Sequence, residues 1–472
     1  MRLLSDVKPN KEQLIIVSRN RPGIEIIRGS AGSGKTTTAL LRLKSLITMF
    51  RSRRERTGNT NRIRALVLTY NRTLRGYVKA LAEAQVRLDE DVELEVSTFA
   101  KWAKNALEHS LKQDIVMAQN KARSHKINTL AHGITLPDGY ALEEVDYLLG
   151  RFLPSDLDDY LSMERTGRGT SPRIGDDVRK LLLNQVARPY HDWLDAENLW
   201  DWNDLATAMA ALPHRPPYDI IVADEAQDFS ANELRAIRGH LANEHSLTFV
   251  LDTTQRIYAR GYTWKECGFS VRPEQSHRLG VNFRNTRQIA QFAASLLRGV
   301  AVDDDGTLPD FSTCERNGPM PVVLVGRFGS QLDWCTNYIG DKVNLAEESV
   351  AFLHPKGGHF LDEVRRRLTE RGFDYVEIKQ RADWPEGPAN IGLSTMHSAK
   401  GLEFDHVIAI GLSQDMMEQD LDEDDERMHI WRKLLAMAIG RAKFSVVLGY
   451  KPKEGSRLVK YLDAATYETV VV

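Results

Sequence analysis

Apolar residues along the chain fall into two kinds of pattern. Short unbroken runs, each followed by polar or Gly-rich residues, occur at "IEIIR" (24–28), "ALVLTY" (65–70), "YDIIVAD" (218–224) and "LTFVLD" (247–252). Runs of this length, rich in Ile, Val and Leu, predict parallel strands buried on both faces. Segments at helical spacing such as "TALLRLKSLITMF" (38–50) lie between them. The alternation predicts an α/β domain whose ligand loops stand at the carboxyl ends of the strands. A second set follows at "MPVVLVG" (320–326), "SVAFLHP" (349–355), "IGLST" (391–395), "DHVIAIG" (405–411) and "FSVVLGY" (444–450).

Residues 103–215 break this rhythm. They hold few strand runs but good helical periodicity, as in "VRKLLLNQVARPYHDWL" (178–194), where Val178, Leu181, Leu182, Val186, Tyr190 and Trp193 recur on one face. The expected organisation is two α/β domains in tandem, with parallel sheets and a helical insertion in the first. Residues 1–102 and 216–277 form the first domain, 103–215 the insertion and 278–472 the second domain.

Composition narrows the class without naming a function. With 42% hydrophobic and 27% charged residues the chain resembles an ordinary soluble protein. No apolar stretch approaches the ~20 residues of a membrane span. Cys267, Cys314 and Cys335 are too few and too scattered for a disulfide framework or a metal site. The start "MRLLSDVKPNKEQ" carries Asp and Pro where a secretory signal has its apolar segment, so a cytoplasmic location is expected. A net charge of −2 gives no general reason to expect nucleic acid, which must be argued from local surface. The basic run 51–64 and the acidic run 415–426 are read as solvated loops.

Candidate chemistry begins with "GSAGSGKT" (29–36), a full match to the phosphate-binding pattern G-x-x-x-x-G-K-[ST], set between a strand and a helix as that pattern requires. Gly29, Gly32, Ser33 and Gly34 let backbone N–H groups close on phosphate, Lys35 reaches the β and γ oxygens, and the Thr36 hydroxyl ligates Mg²⁺. A chance match in a chain of this length is on the order of a per cent at average glycine usage. The strand at 218–224 then delivers "DEAQD" (224–228). Asp224 is the second candidate for Mg²⁺, and Glu225 is the candidate base for an attacking water. Together these motifs predict nucleotide hydrolysis.

"DEAQD", with "TMHSAKGLEFD" (395–405) downstream, resembles the superfamily 1 helicases of the UvrD/Rep type, and further motifs follow in the order of that family along nearly the whole chain. The resemblance implies two RecA-like motor domains with ATP bound between them. "PNKEQ" (9–13) is similar to the segment whose glutamine, Gln13, reads adenine. "LTYNRTLRGY" and "VSTFAKWA" stand where the family holds a strand, implicating Thr69, Tyr70, Asn71, Thr98 and Phe99. "VLDTTQRIY" (250–258) resembles the coupling motif, with Gln255 sensing the γ-phosphate and Tyr258 and Trp264 available to the strand. "VNFRNTRQI" (281–289) implies that Phe283 stacks on the base and Arg284 reaches the γ-phosphate, and "LLAMAIGRA" (434–442) presents a second arginine, Arg441. Glu403 matches a contact to the ribose and phosphate end of the nucleotide, and His397 and Ser398 match strand contacts.

Three departures accompany the resemblance. Arg260 occupies a position where many relatives have tryptophan, so that either Trp264 takes over stacking or Arg260 itself stacks or pairs with phosphate on the strand, Thr37 replaces an arginine that contacts adenine, and Gly440 replaces a threonine. The interval between "NFRNT" (282–286) and "SAKGLEF" (398–404) is also too short for the large second-domain insertion of the bigger relatives. "DYVEIK" (374–379) faintly resembles half of a nuclease metal site, but no suitable Pro-Asp precedes it and a strand explains it better.

The leading expectation is a single-stranded DNA translocase or helicase, moving 3′ to 5′ by family resemblance and using ATP and Mg²⁺, with RNA left open as a track. The rival is a nucleotide-gated subunit that binds DNA or senses its ends and regulates a partner nuclease. A P-loop protein acting on small molecules or proteins would have to account for six further motifs in order.

Overall fold

A computed structural model describes residues 9–29, 33–69, 72–85, 90–137, 139–164, 174–212, 216–251, 262–280, 282, 284–300, 314, 316–378, 384–385, 387–413, 426–453 and 456–472. Two parallel sheets account for all the long apolar runs. The first contains β1 (Gly23–Gly29), β2 (Ile63–Thr69), β3 (Val92–Thr98), β4 (Tyr218–Ala223), β5 (Leu241–Leu251) and β6 (Ser276–Leu279), in the order β3-β2-β4-β5-β1-β6. Neighbouring strands alternate their side chains between two cores. Ile27, Val67, Val222 and Val250 face the helix Lys35–Thr57, which contributes Leu40, Leu43, Leu46 and Ile47. Ile26, Leu66, Ile221 and Phe249 face the helices Phe99–Leu111 and Trp202–Ala211. Burial on both faces is why these strands read as unbroken apolar runs.

Strands that escape that pattern sit at edges. β3 exposes half of its surface, with Glu93 paired to Arg64 and Glu95 accepting from the Tyr218 hydroxyl. β6 is a four-residue strand that pairs with β1 and carries the first sheet to Leu279, two residues beyond the expected boundary at 277.

The insertion has its own core, built from Ile127, Val145, Leu148, Leu182, Leu183, Val186, Tyr190 and Leu194. It is narrower than 103–215, because Ala103, Ala106, Leu107, Leu205, Ala206 and Met209 pack under the first sheet instead. The segment expected as one helix runs through Asp176–Leu181, a π-helical turn Leu182–Ala187 and Arg188–Ala196. Pro189 has no N–H to give and its ring crowds the preceding turn, and widening that turn accommodates it. The wider turn also slides the apolar face, so Leu181 is 43% exposed while Leu183 and Leu194 are buried.

The basic run is helix over its first half rather than loop. Arg51, Arg53 and Arg54 lie in the last turns of Lys35–Thr57, capped by Gly58 at φ +67, and they pair with Asp91, Glu244 and Asp219 at 2.6, 2.6 and 2.8 Å. These partners flank the amino ends of β3, β5 and β4, at the opposite edge of the sheet from residues 29–36. The acidic run 415–426 lies outside the described residues except for its last member.

The second sheet holds β7 (Val322–Val325), β8 (Val350–His354), β9 (Tyr375–Glu377), β10 (Ile391–Thr395), β11 (Phe404–Ala409), β12 (Ala442–Tyr450) and β13 (Glu468–Val471), in the order β13-β7-β12-β11-β8-β10-β9. "DYVEIK" is the edge strand β9, and Glu377 pairs with Arg365 at 2.7 Å. One apolar cluster extends from Ile27 and Leu43 through Leu279 and Ile289 to Leu353 and Val446, so the two sheets share buried surface. Among the described residues no helix is long and apolar enough to cross a membrane, and the three cysteines are buried.

Candidate active site

β1, β5 and β4 lie side by side, so the carboxyl ends of β1 and β5 and the acidic turn at 224–228 emerge next to one another. Gly34 adopts φ +77 as it starts the helix Lys35–Thr57, a conformation that favours glycine. A Cβ on Gly29 would stand 2.5 Å from Ser33 Oγ and 2.8 Å from the Leu279 carbonyl. The chain therefore turns tightly and aims the amino terminus of a 23-residue helix at the site, where its unpaired N–H groups favour an anion. Gly32 lies outside the described residues. Lys35 Nζ donates to the Gly29 carbonyl at 2.8 Å, and Thr37 is half-buried one position past Thr36.

Gln13 is buried against this loop. Its Oε1 accepts from Asn10 N at 3.0 Å, closing a capping box, and its Nε2 donates to the Ser33 carbonyl at 3.3 Å. The amide expected to read adenine thus also braces the phosphate loop.

The Thr36 hydroxyl donates to Asp224 Oδ2 at 3.0 Å. Burial and the neighbouring Glu225 charge push the Asp224 carboxyl up to about 7, against the lowering effects of Thr36 and Lys35. A hydroxyl and a buried carboxylate that lacks full compensation form a donor set suited to Mg²⁺. Among the described residues no group of three or more His, Cys, Asp or Glu residues could hold a metal. Glu225 takes left-handed backbone angles, φ +54 and ψ +42, uncommon outside glycine and of the kind found at functional sites. It starts the 3₁₀ turn Ala226–Asp228, accepts a hydrogen bond from Gln227 Nε2, and is fixed from behind by the Tyr262 hydroxyl donating to the Ala226 carbonyl at 2.9 Å.

The second domain meets this turn directly. The Lys400 ammonium, 3% exposed, pairs with Asp228 and stands 3.9 Å from Glu225 Oε2. Three residues further on, Glu403 pairs with Arg284 and lies 3.8 Å from Lys443 Nζ. Burial raises the Glu403 pKa, but Arg284, Lys443 and Arg441 outweigh it and hold the carboxyl below its usual range. Arg441 is buried where β12 begins, donating to the carbonyls of Met437 and Leu402. Asn285 joins the two arginine segments by donating to the carbonyls of Gly440 and Ala442. The first sheet thus brings Lys35, Thr36, Asp224 and Glu225, and the second brings Arg441, Lys400 and Glu403, with Arg284 paired to Glu403. Gln255 and Phe283 lie outside the described residues.

Residues 9–262 match the model of the UvrD/REP helicase N-terminal domain, and residues 368–453 that of the UvrD-like helicase C-terminal domain. The chain belongs to the UvrD/REP helicase family. It is an ATP-hydrolysing DNA helicase. A probable DNA helicase of Mycoplasma pneumoniae is 22% identical over 467 residues, covering 92% of this chain and 82% of the relative. The solved C-terminal domain of a possible DNA helicase from Lactobacillus plantarum WCFS1 is 22% identical, covers 40% of this chain and 99% of its own, and gives a TM-score of 0.30.

The strand-contacting residues expected in this helicase divide into several groups. His397 is exposed, and Ser398 is half-buried with its Oγ accepting from Thr395 Oγ1 at 2.9 Å. Thr69 is fully buried at the end of β2, and Thr98 spends its hydroxyl as an N-cap accepting from Lys101 N. Phe99 is 3% exposed, edge-on to Trp102 at 5.5 Å and packed near Phe229, so its ring serves the core and offers no free face. Trp264 likewise packs on Phe249, with ring centroids 4.6 Å apart. Both rings were expected as strand contacts: Phe99 is taken up by the core, whereas Trp264 is half-buried and keeps part of its surface open. Tyr70, Asn71, Tyr258 and Arg260 lie outside the described residues. Lys400 and Asp228 stand inside quoted motifs, yet nothing in the pattern says that they meet.

Proposed function

We propose that this helicase is a single-stranded DNA translocase moving 3′ to 5′, with ATP hydrolysed between its two sheets. The observation that carries the reading is the split of charge. The groups proposed to hold phosphate, metal and water stand on the first sheet, Arg284 and Arg441 gather around Glu403 on the second, and Lys400 bridges the two beside Glu225.

Lys35 and the N–H groups of residues 29–34 hold the β- and γ-phosphates, while Gln13 and Glu403 hold the base and ribose end, with Phe283 on the base. Mg²⁺, bound by Thr36 and Asp224, supplies Lewis-acid neutralisation of the phosphate oxygens. Glu225 accepts the proton of the water that attacks the γ-phosphorus, oriented with Gln255, as ADP leaves with the electron pair of the broken bond. Arg284 gives up Glu403 and, with Arg441, stabilises the charge developing on the transferred group. Because the arginines belong to the second sheet, turnover needs the sheets close together, and loss of the γ-phosphate removes what draws them in. His397 and Ser398, with the other strand-facing segments, convert that cycle into steps along a strand without reading its sequence.

The test is ATPase activity with and without single-stranded DNA at low salt, together with displacement of duplexes carrying a 3′ or a 5′ tail. Strong stimulation and preference for the 3′ tail are expected. Indifference to DNA sinks the reading, because phosphate contacts are strongest at low salt. One observation favours the regulatory alternative, a DNA-end-sensing subunit of a nuclease: β7, β8, β9 and β10 take up the interval 286–398, leaving little chain for the insertion that larger relatives carry. That alternative predicts ATPase without strand displacement unless a nuclease partner is added.

A further inference from the structure

We propose that Lys400 is a positioning residue that couples the strand-facing loop at His397 and Ser398 to the base Glu225. The inference rests on Glu225 acting as the base in the reading above.

Three observations on one turn carry it. The turn after β10 is rigid: Met396, Ala399 and Leu402 are almost wholly buried, Ala399 N donates to the Thr395 carbonyl at 3.1 Å, and Gly401 reverses the chain at φ +82. Its two sides face different surroundings, because His397 is exposed while Lys400, three residues on, is 3% exposed. Its buried end meets the first domain where three carboxylates are crowded, Asp224, Glu225 and Asp228 being 2%, 7% and 0% exposed.

Carboxylates at such density repel one another, and their orientation depends on the cation among them. Lys400 supplies that cation from the other domain, pairing with Asp228 and standing 3.9 Å from Glu225. Asp228 and Glu225 share one 3₁₀ turn, already tied internally by Gln227. A strand pressing on His397 and Ser398 moves a stiff element, and its far end shifts Lys400 against this turn. The base is then aimed only when the loop is seated. This gives two sites, one physically continuous lever between them, and a charge pair whose geometry both sites bias.

A merely structural ion pair predicts something different. Breaking it would lower turnover by the same factor with and without DNA.

The experiment measures ATPase of the full chain at saturating Mg²⁺-ATP, with and without a poly(dT) oligonucleotide, for the wild type, Lys400→Met, Lys400→Arg and Asp228→Asn. Oligonucleotide binding is followed by fluorescence anisotropy. In Lys400→Met the ratio of stimulated to unstimulated turnover is expected to fall by about tenfold or more, while KM for ATP and oligonucleotide affinity change by less than about threefold. Lys400→Arg restores most of the ratio. Asp228→Asn, nearly isosteric, loses it as Lys400→Met does and keeps the test open if the methionine variant fails to fold. An unchanged ratio in the folded variants, an equal fall under both conditions, or loss of oligonucleotide binding overturns the inference. A wild type that DNA does not stimulate instead overturns the function proposed above, and the coupling falls with it.

Discussion

The helicase has two internal joints, and they are built differently. Between the insertion and the first sheet, backbone groups are clamped. Asn232 Nδ2 donates to the carbonyls of Leu149 and Phe152 at 2.9 Å each, and Arg235 donates to the Arg151 carbonyl. Arg151 meanwhile reaches Glu266 at 2.8 Å, and a Cβ on Gly150 would stand 3.1 Å from Ser230 Cβ. Between the two sheets, a polar link among the described residues is Lys400 on the acidic turn that carries the proposed base. Contacts through fixed backbone resist motion, and a charge pair on long side chains tolerates it. The first joint holds a shape, and in the proposed cycle the second changes with the nucleotide.

Breaking the mobile joint should cost turnover, and breaking the fixed one should cost stability. The largest effect is expected for Glu225→Gln, which keeps ATP binding while kcat falls by about 10²–10⁴-fold in steady-state assays. Arg284→Ala should lower kcat by about 10²–10³-fold and move KM for ATP far less. Unchanged turnover in that variant would mean that the second sheet does not complete the site.

On the fixed side, Phe99→Ala opens a cavity and should cost about 3–5 kcal/mol in urea unfolding, with little change in strand affinity once folded. The opposite result would restore Phe99 as a stacking platform. Arg151→Met removes the cation beside half-buried Glu266, leaving its carboxylate to the Thr263 N–H and hydroxyl, and should cost about 3 kcal/mol. Hydrogen exchange should report the loss in the helix Tyr140–Arg151 while ATPase persists.

The smallest effect concerns Asp204, beside the insertion. Burial and the Asp201 charge, opposed by the Asp201 N–H and His191, push its carboxyl up to about 6. A raised folded pKa means that the stabilising form is the protonated one. The contribution is full below about pH 4 and lost as pH rises through 6, so Asp204→Asn should flatten the urea midpoint over that window by on the order of 1–2 kcal/mol.

How much was legible beforehand depended on whether the physics was local. Residues 29–36 and 224–228 announce themselves because phosphate and metal binding need fixed residue types at fixed spacing, and the doubly buried strands show as apolar runs. β3, β6 and β13 did not show, since edge strands are short or carry charge on their open side. The sliding of the face at Leu181 required knowing that Pro189 would force a π turn. Phe99 was assigned by motif position, and only the packed core reveals that Trp102 and Phe229 already claim its faces. Lys400 meeting Asp228 joins residues 172 positions apart in sequence, which no local pattern encodes.

The seat of β4 between β2 and β5 imposes a schedule on biosynthesis. β1, β2 and β3 are translated early, yet β2 has no neighbour on one side and β1 none at all until residues 218–251 emerge. At ~5–20 residues per second the ribosome takes on the order of ten seconds to span the intervening stretch. During that pause the insertion can collapse on its own core while the nascent strands wait with open edges, the interval in which a chaperone would matter most to this chain.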